Sequence, residues 1–424
     1  MTPTATARSR QRSAQQTRAR ILDAAQEAFV TRGYRTTSLR EIAAAAGISH
    51  PGLLRHFSSK DELLAEVVER FEEENTRFYA EQADAAEPGA LLFPELARRN
   101  AAIPGYLDLF AALTGEASTP AHPAHQRMRE RYARLDALAA DNIAAAIEHG
   151  IVADDRDPVA EAIRHSAGWD GLQLLTRYLP AKVDLVSILE AREDLWAFPV
   201  GWRDPEDPAP HDVPAAIPRL DALGEIEDAD GYAVGRERRT RIVEDAMALF
   251  AREGYGDTSL REVAERVGVA KSTLMHHYPT KEDLLRAVLR ERDRRISERV
   301  SRVAPARAAD ALRDLPVGAA ENAAREAGLI EVYAVLSCEA VPSRHPAHDY
   351  FEKRFRRTVG HLTDLFRAAR DDGDLPSHRD PAQEAIWLTA LWDGLQYRWL
   401  YDRDAVDVAA HLRAHLDDVL PDPL

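Results

Sequence analysis

The chain has 424 residues, 45% hydrophobic and 30% charged, with a formal net charge of −16 and a single cysteine. That length predicts two or three domains, and the composition excludes a disordered chain. No apolar run approaches the ~18 residues of a membrane span, the basic start MTPTATARSRQRSAQQTRAR has no signal-peptide core, and Cys338 alone excludes an internal disulfide or a thiolate zinc cluster. The expectation is a cytoplasmic protein without membrane contact.

Charge is unevenly placed. Residues 1–60 carry ten Arg/Lys against three acids, and residues 236–281 carry nine against seven, leaving −25 on the remainder. Two basic islands in an acidic body predict local contact with a polyanion.

In chain order, Ile21, Leu22, Ala25, Ala28 and Phe29 lie at helical spacing before Gly33, a residue suited to a helix stop. Ser38-Leu39-Arg40-Glu41 reads as a capping box opening a second helix that ends at Gly47. A third, short helix runs from Ser49 or His50 to His56, and a fourth opens at Ser59-Lys60-Asp61-Glu62. Two short helices about a glycine turn make a helix-turn-helix, with Ile42, Ala43, Ile48, Leu53 and Leu54 closing a core around Phe29. By periodicity alone, a plain helical bundle fits equally well.

Three details favour the first reading. Lys60 opens a helix, where the dipole makes a cation unfavourable by ~0.3–1 kcal/mol unless an anion such as phosphate binds there too. Thr37-Ser38 offers hydroxyls and amides at another helix start. The outer face of the third helix is small or polar (His50, Pro51, Gly52, Arg55), with Pro51 tolerated in the first turn.

Helical periodicity continues to residue 198. His122-x-x-His125 has the spacing of a metal pair, but a proline stands beside it at a helix start and no further ligands accompany it. No metal and no cofactor are expected. Residues 199–233 change character: six prolines between 199 and 218, then the acidic LDALGEIEDADG, read as an extended linker.

Beyond the linker the chain repeats itself. Residues 241–289 match 20–68 without a gap at an offset of 221, keeping Ser259–Glu262, Gly268 and Lys281. At an offset of 223, LSCEAVPSRHPAH (336–348) matches LTGEASTPAHPAH (113–125), including His345-x-x-His348. Asp380-Pro381 matches Asp157-Pro158, and WDGLQ recurs at 169–173 and 392–396.

The run F-x-x-x-G-Y-x-x-T-S-L-R-E-I/V-A, then G-I/V, then L-x-x-H-F/Y-x-x-K-x-x-L-L resembles the DNA-binding domain of the tetracycline-repressor family of bacterial regulators, twice over. The resemblance implies an all-α protein of two tandem units, each a three-helix helix-turn-helix domain followed by a helical ligand-binding and dimerisation domain. The boundaries are a basic arm at 1–13, domains at 14–60 and 61–198, the linker at 199–233, and domains at 234–281 and 282–424.

It further implies that Thr37, Ser49, Arg55, His56 and Lys60, with Thr258, His276, His277 and Lys281 in the second unit, approach the DNA backbone. His50, Pro51, Gly52 and Leu54, and in turn Lys271, Ser272, Thr273 and Met275, would face base edges. Backbone contacts set register and groove contacts carry sequence. The units agree at several backbone positions and differ at every base position, so they are expected to read different half-sites. Pro51-Gly52 offers no side-chain donors, and Ala270 stands where a capping serine is more usual. The arm (Arg8, Arg10, Arg12, Arg18) either enters a minor groove or is a tail adding nonspecific affinity.

In such a family the last two helices form a four-helix bundle with a partner. The units would then pair as a pseudo-dimer within one chain, with pairing of two chains as the alternative. A small-molecule effector would lie among the helices of each unit. Tyr106, Phe110, Leu113, Met128, Tyr132, His165 and Trp169 are candidate linings in unit one; Tyr333, Leu336, Phe355, Leu388 and Trp392 answer them in unit two. His165 against Leu388 would give one pocket a titratable group that the other lacks. Cys338 reads as a small buried hydrophobe. No phosphate loop, G-x-S-x-G elbow or metal set suggests an enzyme. The expected function is a ligand-responsive repressor; the rival is a helical interaction module whose helix-turn-helices no longer read DNA.

Overall fold

The sequence signals above become helices in the computed structural model, which describes residues 5–34, 37–120, 122–220, 233–253, 259–302, 305–325, 327–343, 345 and 347–421. Unit one comprises α1 (Ala5–Arg32), α2 (Leu39–Ala45), α3 (His50–Leu53), α4 (Lys60–Ala83), α5 (Phe93–Ala102), α6 (Tyr106–Glu116), α7 (His125–Glu148), α8 (Pro158–Tyr178) and α9 (Leu185–Asp194). Unit two comprises α10 (Ala233–Glu253), α11 (Leu260–Val267), α12 (Lys271–His277), α13 (Lys281–Arg302), α14 (Ala308–Arg313), α15 (Leu315–Arg325), α16 (Ala327–Glu339), α17 (His348–Asp371), α18 (Pro381–Tyr401) and α19 (Val408–Val419). No described residue lies in a strand. No helix among the described residues is long and apolar enough to cross a membrane.

Two elements differ from expectation. The basic arm is helical from Ala5 onward, continuous with α1, because its Ala, Arg and Gln are strong helix formers. The proline-rich stretch is irregular, with turns at Pro199–Trp202 and Asp204–Asp207, and it is strapped onto unit two. Arg203 donates to the carbonyls of Gly373 and Asp374, the His211 amide donates to the Asp372 carbonyl, and Arg307 donates to the His211 carbonyl.

The two units clasp each other through α8 and α18. Their crossing is made by the glycines of the two WDGLQ runs. A Cβ on Gly171 would overlap the carbonyl of Ala390, and one on Gly394 would overlap that of Ala167. Residues 167 and 390, and 171 and 394, stand at the 223 offset, so each unit makes the other's contact, as across a two-fold axis. The same symmetry governs two tyrosines. Tyr178 donates to the Ser337 carbonyl at 2.6 Å, and Tyr401 to the Thr114 carbonyl at 2.9 Å.

Candidate nucleic-acid interface

Each helix-turn-helix is built by its caps. Ser38 and Ser259 close reciprocal capping boxes with Glu41 and Glu262. Hydrogen bonds from Ser38 hold the Glu41 carboxylate below the usual range, and Ser259 does the same for Glu262. The turns pass through Gly47 (φ 68°) and Gly268 (φ 70°), where a side chain would be strained. Leu53 and Leu274 are fully buried and anchor the reading helices against α1 and α10 residues such as Phe29 and Phe250.

That anchoring fixes which side chains face outward. Ser49, Pro51, Leu54 and Arg55 are exposed on unit one, with His50, Gly52 and His56 half-buried. Lys271, Ser272, Met275 and His276 are exposed on unit two, with Thr273 and His277 half-buried. Leu54 is therefore surface rather than core. It is 41% exposed and its counterpart Met275 is 43% exposed, so both reading helices present an apolar side chain at the same position. Such a group suits a thymine methyl.

The two reading helices differ in build. Ser49 caps α3 by accepting from the Gly52 amide at 3.2 Å, but the α-helix ends at Leu53 and tightens into turns through His56. Helix α12 runs to His277 without a side-chain cap, since Ala270 has no oxygen to offer. Burial, with Arg239 and His276 nearby, lowers the pKa of His277.

Two of the proposed backbone contacts in unit one are turned inward. The Lys60 amine donates to the carbonyls of Tyr34 (2.9 Å) and Thr37 (3.0 Å) and lies 4.3 Å from the centre of the Tyr34 ring. Those carbonyls themselves offset the dipole penalty of a cation at the start of α4. The Thr37 hydroxyl is buried, donating to the carbonyls of Gly33 (2.8 Å) and Ala28 (3.1 Å). Both residues shape the turn before α2. Lys281 opens α13 half-buried. Thr258 and the side chains of Arg8, Arg10 and Arg12 lie outside the described residues. Arg18 is tied into the domain by the His56 carbonyl, the Phe57 ring and Glu66 at 2.7 Å.

The regulatory candidates are mostly packed. Tyr106 and Phe110 stack beside Phe71, and the Tyr106 hydroxyl is met by Asn75. Tyr132 lies under Arg398 and against Tyr401. Tyr333 is held by Arg354 at 2.6 Å, Phe355 is fully buried beside Tyr178, and Trp392 packs on the same core. Met128 and Leu113 line a cleft of about 330 Å³ between α4 and α7, floored by Leu64 and Val68 and rimmed by Asp61, Glu62, Glu66 and Glu69. His165 is buried among Phe93, Trp169, Trp196 and Trp387, with neither ring nitrogen hydrogen-bonded. Burial, with Arg192 nearby, lowers its pKa to about 3, so it is neutral near pH 7 rather than a switch.

The histidine pairs have a structural use. His122 and His345 accept from the amides of Ala124 and Ala347, and His125 and His348 donate to the carbonyls of Ala117 and Ala340. His125 then stacks on Tyr401 and His348 on Tyr178, each across the unit boundary. No cluster of three metal-binding side chains occurs among the described residues.

The structure thus holds two anchored helix-turn-helix modules on helical bodies that clasp each other. The family model "Bacterial regulatory proteins, tetR family" matches residues 21–67 and again 242–288, and a "BetI-type transcriptional repressor, C-terminal" model matches 335–421. The chain thus carries the tetR-family DNA-binding segment twice, in tandem. It is 37% identical over 98 residues to the transcriptional repressor KstR of Mycobacterium tuberculosis, a match covering 23% of this chain and 44% of KstR. Against the regulator TtgR of Pseudomonas putida it is 28% identical over 190 residues, covering 43% of this chain and 89% of TtgR. A solved structure of SmeT, the repressor of a Stenotrophomonas maltophilia multidrug efflux pump, aligns with 45% of this chain and 89% of its own (19% identity, TM-score 0.35). The chain spans less than half the length of the first curated relatives it matches.

The buried charges at the junction of the units stand outside the sequence expectations, which covered only the apolar faces of the paired helices. The recurring Arg-Asp-Pro of 156–158 and 379–381 was the available signal: both arginines are buried at the junction.

Proposed function

We propose that this protein is a ligand-responsive transcriptional repressor that lays two non-identical helix-turn-helix modules of one chain on a single operator. One observation carries the reading. Both reading helices are anchored by a buried leucine and expose an apolar residue at the same position, while their other outward groups differ: His50, Pro51 and Gly52 against Lys271, Ser272 and Thr273. Shared anchoring gives a common docking geometry, and unlike outward groups give unlike half-sites. The clasp of α8 on α18 supports the pseudo-dimer within one chain as the working form. Ser49, Arg55, His56, His276, His277 and Lys281 supply backbone contacts, whereas Thr37 and Lys60 act by shaping the turn.

For the effector we favour the cleft between α4 and α7. It lies directly behind the helix that follows the first reading helix, so occupancy would reposition that module. An effector shifts the protein only if it binds one arrangement more tightly than the other. Fluorescence-polarisation titration with the intergenic DNA flanking the gene tests the reading. Affinity should fall steeply with salt. Lys271→Ala should relax preference at one half-site, and Arg55→Ala should weaken binding with little change in preference. Binding that is absent, or indifferent to both changes and to salt, would favour the interaction-module reading.

A further inference from the structure

We infer that the two units are built as a matched pair whose joining faces fit each other and do not fit themselves, so that unit one selects unit two as its partner. Three independent asymmetries at the junction carry this, and it stands whether or not the chain reads DNA.

The first is charge. Unit one buries Arg156 and Arg192 against Glu161; unit two buries Glu384 and Asp418 against Arg379. Across the junction Arg156 meets Asp418 at 3.2 Å, and Arg192 meets Glu384 at 3.4 Å and Asp418 at 3.6 Å. These six charges balance, and Arg164, its side chain 13% exposed, adds a further cation against Glu161 in unit one. The imbalance within each unit arises because Asp418 of unit two answers Leu195 of unit one, and Arg192 answers His415, at the 223 offset. Two copies of unit one would bury two surplus cations, and two copies of unit two would bury two surplus anions. Charges taken out of water without partners are strongly unfavourable.

The second is shape. The Trp387 ring fills the space over Gly168, where an added Cβ would lie 2.5 Å from its Cη2. Unit two has Leu391 at the position of Gly168, and unit one has Arg164 at that of Trp387. A self-pair of unit two would drive each tryptophan into a leucine.

The third lies where α6 meets α16. Gly115 and Cys338 are counterparts at the same offset and face each other; a Cβ on Gly115 would come 2.5 Å from the Cys338 Cβ. Two cysteines do not fit there, and two glycines leave a gap. The sole cysteine is thus one half of a large-small pair.

Native mass spectrometry reads the pairing. Protease sites placed at residues 203–205 and between 220 and 233 of the full chain let the strap be excised and the two units be unfolded and refolded together. One fragment of each kind per particle is expected, at least roughly tenfold over either self-pair; self-pairs in comparable amounts overturn the inference. The intact chain gives a second reading. Gly168→Leu should lower Tm and expose α8 and α18 to hydrogen exchange, and adding Trp387→Ala should restore protection. A Gly168→Leu chain as protected as the parent, or a double variant no better than the single, contradicts it.

Discussion

Units one and two agree where the backbone needs them to and part where chemistry is chosen. Helices α7 and α8 recur as α17 and α18 at the same offset to the residue, with the same aspartate caps before α8 and α18 and the same crossing glycines. The reading helices, the buried charges and the paired positions 164/387, 168/391 and 115/338 all differ. A duplicated unit that merely drifted would lose complementarity at its junction, because interior contacts tolerate volume changes poorly. Here the differences compensate one another, so the second unit serves as partner rather than spare.

Restoring symmetry at single positions should break this fit in graded steps. Asp418→Leu gives unit two the residue found in unit one and leaves Arg156 and Arg379 undercompensated. Removing one member of a buried charged set costs about 3–5 kcal/mol, which urea unfolding will report as a lower midpoint. An unchanged midpoint would mean that the cluster is solvated.

Lys60→Met separates turn-building from DNA contact. Losing the charged bonds to Tyr34 and Thr37 should destabilise the first module by about 1.5–3 kcal/mol, visible as faster hydrogen exchange in α2 without DNA present. Exchange like the parent's, with weaker DNA binding, would return the amine to the phosphate backbone.

His165→Leu copies Leu388 into unit one and should stabilise by about 1–3 kcal/mol, since two unsatisfied nitrogens leave the core. The pH dependence follows in sign. The folded pKa of about 3 lies below the unfolded value of ~6.5, so stability is lost as pH falls from about 6.5 towards 3, at up to about 1.4 kcal/mol per pH unit. The variant should lose less stability on acidification; His415, lowered by burial and Arg192, acts in the same direction in both chains. A slope unchanged by the substitution would refute the burial of a neutral imidazole.

The smallest effect tests the reading helices. Ala270→Ser supplies the cap that Ser49 gives unit one and should stabilise α12 by about 1 kcal/mol, measured as slower exchange at Thr273. No gain would mean that α12 is already fixed by Leu274.

Much of the fold was legible because it is local. Capping boxes, glycine stops and a 3.6-residue period are written within a few neighbouring residues, and the repeat at 221 and 223 announced two units. The outward faces of the reading helices followed from one buried leucine in each. What could not be read was which polar groups turn inward. Lys60 and Thr37 look alike on paper whether they meet a phosphate or a backbone carbonyl of their own domain. Cys338 and Gly115 became meaningful only once the symmetry of the pairing placed them face to face. His165 stood out as an asymmetry, but its burial among four aromatic rings is a tertiary fact.

The most direct measurement is the make-up of the DNA complex. Duplexes selected from a random pool by the full chain should carry two unlike half-sites, and native mass spectrometry should find one chain on each, with affinity falling when either half-site is copied over the other. Palindromic selected sites, or two chains on each duplex, would contradict a single chain reading with two different modules.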